Sequence, residues 1–450
     1  AVEEVIVTGS YVSRNLERSG SPLRVVSAEE IMRFGLTGVK DVINYLPFNA
    51  GSEFNADVFT QNLSAGTSNF NLRGLGLNST LVLINGRRQT VSGGVADDGS
   101  TFVDTNALAP LNIIDRIEIL KDGAAAIYGT DAVAGVVNVI TRTDAEGWEI
   151  EGEYGSTTQS SQKDLTLRGL HGWQTDTIRT TAALSYQHRS WLPSPDRDFT
   201  LGKGFSSFGQ PGAFILIEPS PSFPDLPFGL DTPQSVIDPN CGITGGTPNE
   251  KLPGSGLGTC RFDFSPFYHL VPKERRWLGQ FSLDADLGDA EIYAEVGYAD
   301  TRVIRGTSPS FPILNLVTVP ANNPGNVFQT PLLFLGRPLG AEAPVNLVRH
   351  SSETWRAAGG VKGTMSKGWD WEVSASYSAN GYLVGINNAL TDRFNAALNG
   401  EGGPNKDQFF NPFGSALTSQ RGDATFNDPL VIEDFLSLAT YDYETSLLSI

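Results

Sequence analysis

The stretch IDRIEILKDGAAAIYGTDAVAGVVNVIT, residues 114–141, decides the fold of the first part of the chain. Residues 113–120 alternate apolar and charged side chains, and this alternation predicts a strand that ends at the turn Asp122-Gly123. Residues 124–128 then predict a short helix, which Gly129 closes. The β-branched run at 136–141 predicts a second strand. A strand–helix–strand unit therefore lies at the centre of this region.

The residues before this unit continue the mixed α/β pattern. Strands are predicted at 23–27 and 81–84, and short helices at 28–34 and 38–46. Ser27 and Glu30 form a capping box, in which the serine oxygen accepts a backbone N–H and the glutamate reaches back to the cap. We therefore predict one compact α/β domain that ends near residue 145.

From residue 146 onward the pattern changes to long strands with two different faces. In WEIEGEY, residues 148–154, one face carries Trp, Ile, Gly and Tyr while the other carries three Glu. The same alternation recurs at 164–169, 178–187, 277–286, 291–298, 355–362 and 370–377. A soluble antiparallel sheet with one face on a core is the simplest interpretation of such strands.

Three observations favour a transmembrane β-barrel over a soluble sheet. The apolar faces are rich in small and aromatic residues, and all seven Trp lie at or near strand ends, where aromatic girdles occur. The connections alternate between tight turns and long excursions. The long ones cover roughly 192–274, 305–352 and 385–440. Outer-membrane barrels keep such long loops outside the cell.

Composition excludes several classes of protein and of site. The 450 residues include 32 Lys and Arg against 50 Asp and Glu, a net charge of −18, which disfavours a nucleic-acid partner. No run of 18 apolar residues predicts a transmembrane helix. The four histidines are scattered, so we predict neither a metal site nor a cofactor. Cys241 and Cys260 predict one loop disulfide, formed in an oxidising compartment.

Three motifs of the N-terminal domain carry a resemblance to a known family. The segments FNLRGLG (70–76), LVLINGRR (81–88) and 114–141 closely resemble the plug domain of TonB-dependent outer-membrane receptors. The chain departs from the family at Lys121-Asp122-Gly123, where Arg-Gly-Pro is common, and this puts one turn conformation in question. The resemblance implies a location in the bacterial outer membrane.

The implied fold class is a membrane β-barrel with an N-terminal α/β plug in its lumen. The expected domains are a TonB-box-like segment at 1–12, the plug at 13–145 and the first part of the barrel at 146–450. A plugged transporter barrel has about 22 antiparallel strands. Seven strands, and the start of an eighth near 441–450, cannot close such a barrel, so we expect the remaining strands from sequence beyond Ile450.

The N-terminus resembles a TonB box. The resemblance assigns TonB binding to Glu4, Val5, Ile6, Val7, Thr8 and Gly9. A short apolar segment of this kind suits strand addition, in which backbone hydrogen bonds to a partner's sheet edge supply the affinity. Alternatively, residues 5–8 are the first strand of the plug, and both interpretations can hold in different states.

Other candidate site residues lie in the plug. Arg73 and Arg116 are expected to contact carboxylates of the barrel wall, and the alternative is local pairing within the plug. Two polar segments, 55–69 and 92–104, are expected to face the ligand. Their candidate residues are Asn62, Asn69, Asp97, Asp98 and Asp104. The three aspartates could bind Ca²⁺ or a cationic ligand, whereas a solvated loop is the plainer interpretation.

The implied function is active import of a scarce ligand, and we expect no enzymatic activity. The implied partners are TonB with its inner-membrane energising complex, outer-membrane lipid, a small-molecule or oligomeric ligand, and a surface lipoprotein. Aromatic residues between 191 and 274 favour an oligosaccharide, peptide or aromatic ligand over a small iron chelate, unless they pack within their own loop. The alternatives are a surface-exposed barrel for adhesion or assembly and, more remotely, a soluble all-β glycosidase that uses Glu291 and Glu295.

Overall fold

The computed structural model describes most of the chain in two parts, an α/β domain and a long antiparallel sheet. The described residues are 8, 23–52, 63–231, 234–243, 245–251, 253–313, 315–365 and 369–450. The predicted residues Glu4, Val5, Ile6, Val7, Gly9 and Asn62 lie outside them. No helix among the described residues is both long enough and apolar enough to cross a membrane.

The α/β domain is built on a five-stranded sheet. Its strands are β1 (Leu23–Ser27), β2 (Thr80–Ile84), β3 (Arg87–Arg88), β4 (Ile114–Leu120) and β5 (Gly135–Thr141), in the order β1-β4-β5-β2-β3. Strands β2 and β5 are parallel, and the other pairs are antiparallel. Its helices are α1 (Ala28–Arg33), α2 (Val39–Tyr45) and α3 (Ala125–Tyr128), with 3-10 turns at Leu77–Ser79, Thr105–Ala107, Leu111–Ile113 and Thr130–Ala132. Strands β1, β2, β4 and β5 and the three helices coincide with the predicted elements to within a residue or two, whereas β3 and the 3-10 turns were not predicted.

Local chemistry explains where these elements begin and how they pack. Ser27 Oγ accepts the backbone N–H of Glu30 at 3.2 Å, which is one half of the predicted capping box, while the Glu30 carboxylate pairs with Arg24. The central strand β5 is almost entirely buried, as a strand paired on both sides and covered on both faces should be. Gly135 adopts a φ of +146°, and a Cβ there would lie 2.3 Å from the carbonyl oxygen of Leu120. The sharp approach of β5 to β4 therefore requires glycine.

The second part is an eight-stranded antiparallel sheet, which we call the wall. Its strands are β6 (Gly147–Ser156), β7 (Lys163–Gln174), β8 (Ile178–Arg189), β16 (Lys273–Asp286), β17 (Ala290–Thr307), β20 (Asn346–Met365), β21 (Trp369–Ala389) and β22 (Leu436–Ser449). Each strand pairs with the next in this series. The wall contains all seven predicted strands and the eighth, which begins five residues earlier than predicted.

The two faces of the wall have different roles. On β16, Glu274 and Arg276 are buried against the plug side, whereas Lys273, Arg275 and Trp277 are exposed on the outer face. Aromatic side chains pair across strands on that outer face near both ends. These pairs are Tyr186–Trp277 (4.4 Å between ring centroids), Tyr298–Trp355 (4.3 Å) and, at the opposite end, Trp148–His171 (4.2 Å). This is the arrangement of two aromatic girdles.

Short turns join the strands at one end of the wall, and three long loops lie at the other end beside the six-residue connection 157–162. The long loops are 190–272, 308–345 and 390–435, and we call them together the loop cap. Its strands are β9 (Leu192–Pro193), β10 (Phe205–Ser206), β11 (Ala213–Leu216), β12 (Val236–Ile237), β13 (Thr247–Glu250), β14 (Gly258–Asp263), β15 (His269–Val271), β18 (Thr318–Val319) and β19 (Leu332–Leu335). Its helices are α4 (Thr391–Leu398), α5 (Ser415–Thr418) and α6 (Pro429–Phe435), with 3-10 turns at Ser194–Asp196 and Ser265–Phe267.

The three loops of the cap share one apolar core. Phe214 from the first loop, Phe334 from the second, and Phe394 and Phe435 from the third are fully buried in it. Phe214 stacks on Phe413 with centroids 4.5 Å apart. The predicted disulfide between Cys241 and Cys260 is present and closes a span of 19 residues. Phe214 and Phe262 are buried, so these two rings pack within the loop cap and do not face a ligand. Phe205, Phe223 and Phe228 remain exposed.

Candidate functional site between plug and wall

The first feature of the candidate site is the attachment of Thr8 to the plug sheet. The backbone N–H and the hydroxyl of Thr8 both donate to Oε2 of Glu118, at 3.1 and 2.5 Å. Asn138 Nδ2 donates to the Thr8 hydroxyl at 3.3 Å, and Arg116 Nε bonds the other Glu118 oxygen at 2.9 Å. Glu118 is fully buried on β4, so this anchor ties the predicted TonB-box segment to the plug core.

A second feature, which we call the lower dock, joins the β2–β3 turn to the wall near its short-turn end. Asn85 Nδ2 donates to Glu295 at 2.8 Å, and Arg87 Nη2 donates to Glu372 at 2.6 Å. Arg356 forms an ion pair with Glu295 at 2.6 Å. Burial lowers the pKa of the Arg87 guanidinium, but Glu295 and Glu372 outweigh it and hold that pKa above its ordinary value. The lower dock is thus a connected set of charges across the plug–wall boundary.

A cavity of about 720 Å³ lies beside the lower dock, between the plug sheet and the wall. The plug contributes Arg87, Arg116 and Asn138 to its lining, and the wall contributes Glu295 and Glu372. Arg116 and Asn138 also belong to the Thr8 anchor. The attachment of the N-terminal segment and the dock of the plug therefore border the same charged space.

A third feature, the upper dock, holds two plug segments against the wall near its long-loop end. These apex segments are 63–69 and 90–106. Tyr382 donates its hydroxyl proton to the carbonyl of Ala65 at 2.9 Å, and Arg276 donates to the carbonyl of Gly66 at 3.0 Å. The backbone N–H of Gly93 donates to Asn380 at 2.7 Å. These hydrogen bonds are made to backbone groups of the plug, so the upper dock depends on the path of the plug backbone more than on plug side chains.

The structure separates the predicted ligand-facing residues into two groups. Asp97 and Asp98 are exposed at the tip of an apex segment. Asn69 and Asp104 are instead buried, which corrects the expectation that they face a ligand. Asp104 caps a 3-10 turn by accepting the N–H of Asn106 at 2.9 Å and also accepts that of Ser68 at 3.1 Å. Among the described residues no group of three or more His, Cys, Asp or Glu is arranged to hold a metal ion.

Replacing Asp104 with Asn is expected to remove one pH-dependent contribution to stability. Burial raises the pKa of Asp104 to about 6 from the ordinary 3.8, although Arg276 and the two backbone N–H groups oppose it. A raised carboxyl pKa means that the free energy of unfolding falls as pH rises from about 4 to 6 and is constant above. Asp104→Asn should therefore be more stable than wild type at pH 8, by up to about 3 kcal/mol.

Unfolding by denaturant at pH 4 and pH 8 measures this difference. Asp98→Asn is the matched control, because Asp98 is exposed in the same segment and should change stability by less than about 0.5 kcal/mol. An Asp104→Asn variant that loses stability equally at both pH values would show that Asp104 acts as an ionised cap.

Arg73 and Arg116 both bind inside the plug in the described part of the chain. Arg73 Nη2 donates to the carbonyl of Ala134 at 3.1 Å. Arg116 pairs with Asp115 at 2.6 Å and Glu118 at 2.9 Å. Local pairing within the plug, the alternative interpretation, is therefore the one observed for both arginines. The plug arginine that contacts a carboxylate of the eight wall strands is instead Arg87. Arg73 adopts a φ of +60°, in the left-handed region that non-glycine residues rarely occupy.

Sequence reasoning missed Asn85, Arg87 and Arg356 as residues of the lower dock. It also missed Arg276 as a residue of the upper dock. The turn Asn85-Gly86-Arg87 was recognised only as part of a motif. Strand alternation places Arg276 on the same face as Glu274, and Arg356 on the same face as Glu372. Positive charges on a wall face that also carries carboxylates were the signal that could have identified these dock residues.

Comparison with known proteins identifies the domain that carries this site. The family model described as TonB-dependent Receptor Plug Domain matches residues 15–136. Residues 15–136 are a TonB-dependent receptor plug domain. The chain is located in the bacterial outer membrane, and the wall forms part of a β-barrel.

The chain is also similar to individual curated proteins. The chain is 25% identical over 252 residues to the iron-regulated outer membrane virulence protein of two Vibrio cholerae O1 strains, a match that covers 47% of the chain and 36% of the relative. The chain thus spans about a third of the length of these curated relatives.

Among solved structures, the chain is similar to the ferric enterobactin receptor of Pseudomonas aeruginosa, with 17% identity and a TM-score of 0.46, covering 96% of the chain and 46% of that structure. It is also similar to the P. aeruginosa pyoverdine outer membrane receptor, with 14% identity and a TM-score of 0.45, covering 83% and 39%.

Proposed function

We propose that this receptor imports a scarce ligand across the outer membrane by a TonB-driven movement of the plug. The Thr8 anchor carries the proposal, because it attaches the TonB-box-like segment to a plug strand that borders the cavity beside the lower dock. In this proposal residues 1–12 form the TonB-binding segment, 13–145 the plug and 146–450 the wall. The end of β5 at Thr141 and the start of β6 at Gly147 support the second boundary.

The geometry suggests how a pull on the N-terminal segment would act. Thr8 is held by three hydrogen bonds, and such bonds each contribute only about 1 kcal/mol net, so TonB can displace the segment by offering a new strand partner. Displacement would leave the Glu118 carboxylate without its Thr8 donors beside the cavity. The lower dock borders the same cavity, and its charges can be rehydrated through that cavity as they separate.

The ligand would bind between the loop cap and the apex segments. We propose Asp97 and Asp98 as plug residues that face it, because they are exposed at the tip nearest the long-loop end. An oligosaccharide, peptide or aromatic compound remains our first candidate, supported by the exposed rings of Phe205, Phe223 and Phe228 in the cap. A ferric chelate is the second candidate, and the name of the iron-regulated Vibrio cholerae relative favours it.

Interrupting the TonB-box-like segment is expected to abolish import while leaving ligand binding intact. Strand addition needs backbone donors, and proline has none. We therefore expect Ile6→Pro in the complete receptor to reduce TonB-dependent uptake at least about tenfold, which is the effect of losing roughly 1.4 kcal/mol of strand pairing. Ile6→Ala is the matched control and should keep most of the uptake, since it retains the backbone N–H.

Uptake of radiolabelled ligand into cells with and without TonB, together with binding at 4 °C, provides the measurement. Wild-type uptake that is undiminished without TonB would refute active import. Binding without any uptake in wild-type cells would instead favour the surface-exposed adhesion or assembly role. Either outcome is distinguishable from a folding defect, because binding reports an intact receptor.

A further inference from the structure

The three loops of the cap are held to one another by contacts of two kinds. Strand β11 of the first loop pairs with β19 of the second loop along its whole length. Asn323 of the second loop donates to the carbonyls of Leu398 and Phe410 in the third loop, at 3.1 and 2.9 Å. These contacts join neutral groups, so pH leaves them unchanged. The contact between the first and third loops instead includes a carboxylate, that of Asp238.

Asp238 is buried where the first loop meets the third. It directly follows β12 and is only 1% exposed. Its Oδ2 accepts the backbone N–H of Gly414 in the third loop at 3.1 Å, and its Oδ1 accepts that of Asn240 at 2.7 Å. A Cβ on Gly414 would lie 2.4 Å from the Cβ of Asn240. The two loops therefore touch at Asp238, Asn240 and Gly414, which we call the joint.

The surroundings of the joint are apolar. Phe413, next to Gly414, stacks on Phe214 of the first loop. Ile237 and the disulfide Cys241–Cys260 form a buried cluster beside Asp238. In the described part of the chain no charged or titratable side chain acts on the Asp238 carboxyl, and its hydrogen-bond donors are the two backbone N–H groups. The carboxyl is therefore buried without a counter-ion.

This burial makes closure of the joint depend on pH. An ionised carboxylate without a counter-ion is costly to bury. Burial raises the pKa of Asp238 to about 6 from the ordinary 3.8, although the two N–H groups oppose the shift. In the closed joint the carboxyl is thus neutral below about pH 6, whereas in an opened and hydrated joint it ionises near pH 4. Closure is favoured most below pH 4, and this advantage is lost as pH rises to about 6.

We propose that Asp238 makes the contact between the first and third loops a pH-sensitive joint, which is closed in mild acid and opens more readily at neutral pH. The β11–β19 pairing and the Asn323 hydrogen bonds persist at every pH, so the moving part is the segment of the third loop around Gly414. Opening would part Phe413 from Phe214 and loosen the core that the three loops share. Long barrel loops lie outside the cell, so external pH would control access through the cap.

The test is hydrogen exchange of the complete receptor in detergent, measured by mass spectrometry on peptides that contain Gly414. The Gly414 amide donates to Asp238, so its protection, corrected for the intrinsic effect of pH on exchange, reports closure of the joint. We expect wild-type protection to fall about 30-fold between pH 4.5 and pH 7.5, as the two pKa values require. Asp238→Asn cannot ionise, so its protection should change less than about threefold over this range.

Asp423→Asn is the matched control, because Asp423 is exposed in the same loop and also accepts a backbone N–H, that of Gln420. It should keep the pH dependence of wild type. Asp104 titrates over the same range but is present in all three receptors, so a difference between them belongs to Asp238.

Two results would overturn the proposal. One is wild-type protection at Gly414 that is equal at both pH values, and this measurement decides even if Asp238→Asn fails to fold. The other is a fall in Asp238→Asn as large as in wild type. The measurement needs neither TonB nor ligand, so its outcome is independent of the proposed import.

Discussion

Replacing Glu295 with Gln is expected to lower the free energy of unfolding by about 3–5 kcal/mol. The carboxylate pairs with Arg356 at 2.6 Å and accepts a hydrogen bond from Asn85 at 2.8 Å. The two charged side chains are only 9% and 5% exposed. Removing one charge leaves the Arg356 guanidinium buried without its counter-ion, and desolvation of that charge is the main cost.

The matched control is Glu291→Gln, four residues away on the same strand. Glu291 is 27% exposed and pairs with Arg179 and Lys362, which are 44% and 47% exposed. Solvent screens such pairs, so the control should lose less than about 1 kcal/mol. Denaturant unfolding of the complete receptor in detergent compares the two. Equal losses in both variants would mean that the lower dock is hydrated and does not depend on a buried ion pair.

The substitution Gly172→Ala is expected to cost about 3 kcal/mol or more, because it forces apart the plug and the wall. A Cβ on Gly172 would lie 1.9 Å from the carbonyl oxygen of Ala145 and 2.7 Å from its Cβ. Ala145 lies in the short connection between β5 and β6 and is buried in the plug core together with Leu170. The backbone of that connection must move before any side chain fits on β7 at this position.

Gly169→Ala provides the comparison on the same strand, where a Cβ would meet nothing within 4 Å. It should change stability by less than about 1 kcal/mol, and the direction can be favourable because alanine restricts the unfolded chain. Thermal unfolding measures the stability of both variants. Protease cleavage of the 142–146 connection measures whether the plug has separated from the wall. If Gly172→Ala were as stable as Gly169→Ala, the connection would not cross β7 as tightly as the structure shows.

Much of the plug and of the wall follows from local sequence. The strand–helix–strand pattern at 114–141 and the Ser27 cap of α1 depend on neighbours within a few residues, and both appear in the structure where they were predicted. The wall strands were also recognisable, because a strand with one lipid face and one polar face must alternate. The predicted strands were too short, since pairing with a neighbour extended β20 and β21 to 20 and 21 residues.

The candidate site depended on tertiary structure instead. Glu118 could not be linked to Thr8 from the sequence, because 110 residues separate them and only the fold of β4 brings them together. Arg87 was part of a recognised motif, yet its partner Glu372 lies 285 residues away. Burial likewise removed Asn69 and Asp104 from the expected ligand surface, although both belong to polar loops.

The sequence by itself determined that this chain combines an α/β plug with an outer-membrane wall, because periodicity and a long ordered motif are local properties. Only the tertiary structure decided which charges meet. Arg73 and Arg116 found partners within the plug, whereas Arg87 crosses to the wall. The physical reason is that a charge pairs with whichever opposite charge lies within a few ångströms, and that distance is set by the packing of the whole domain.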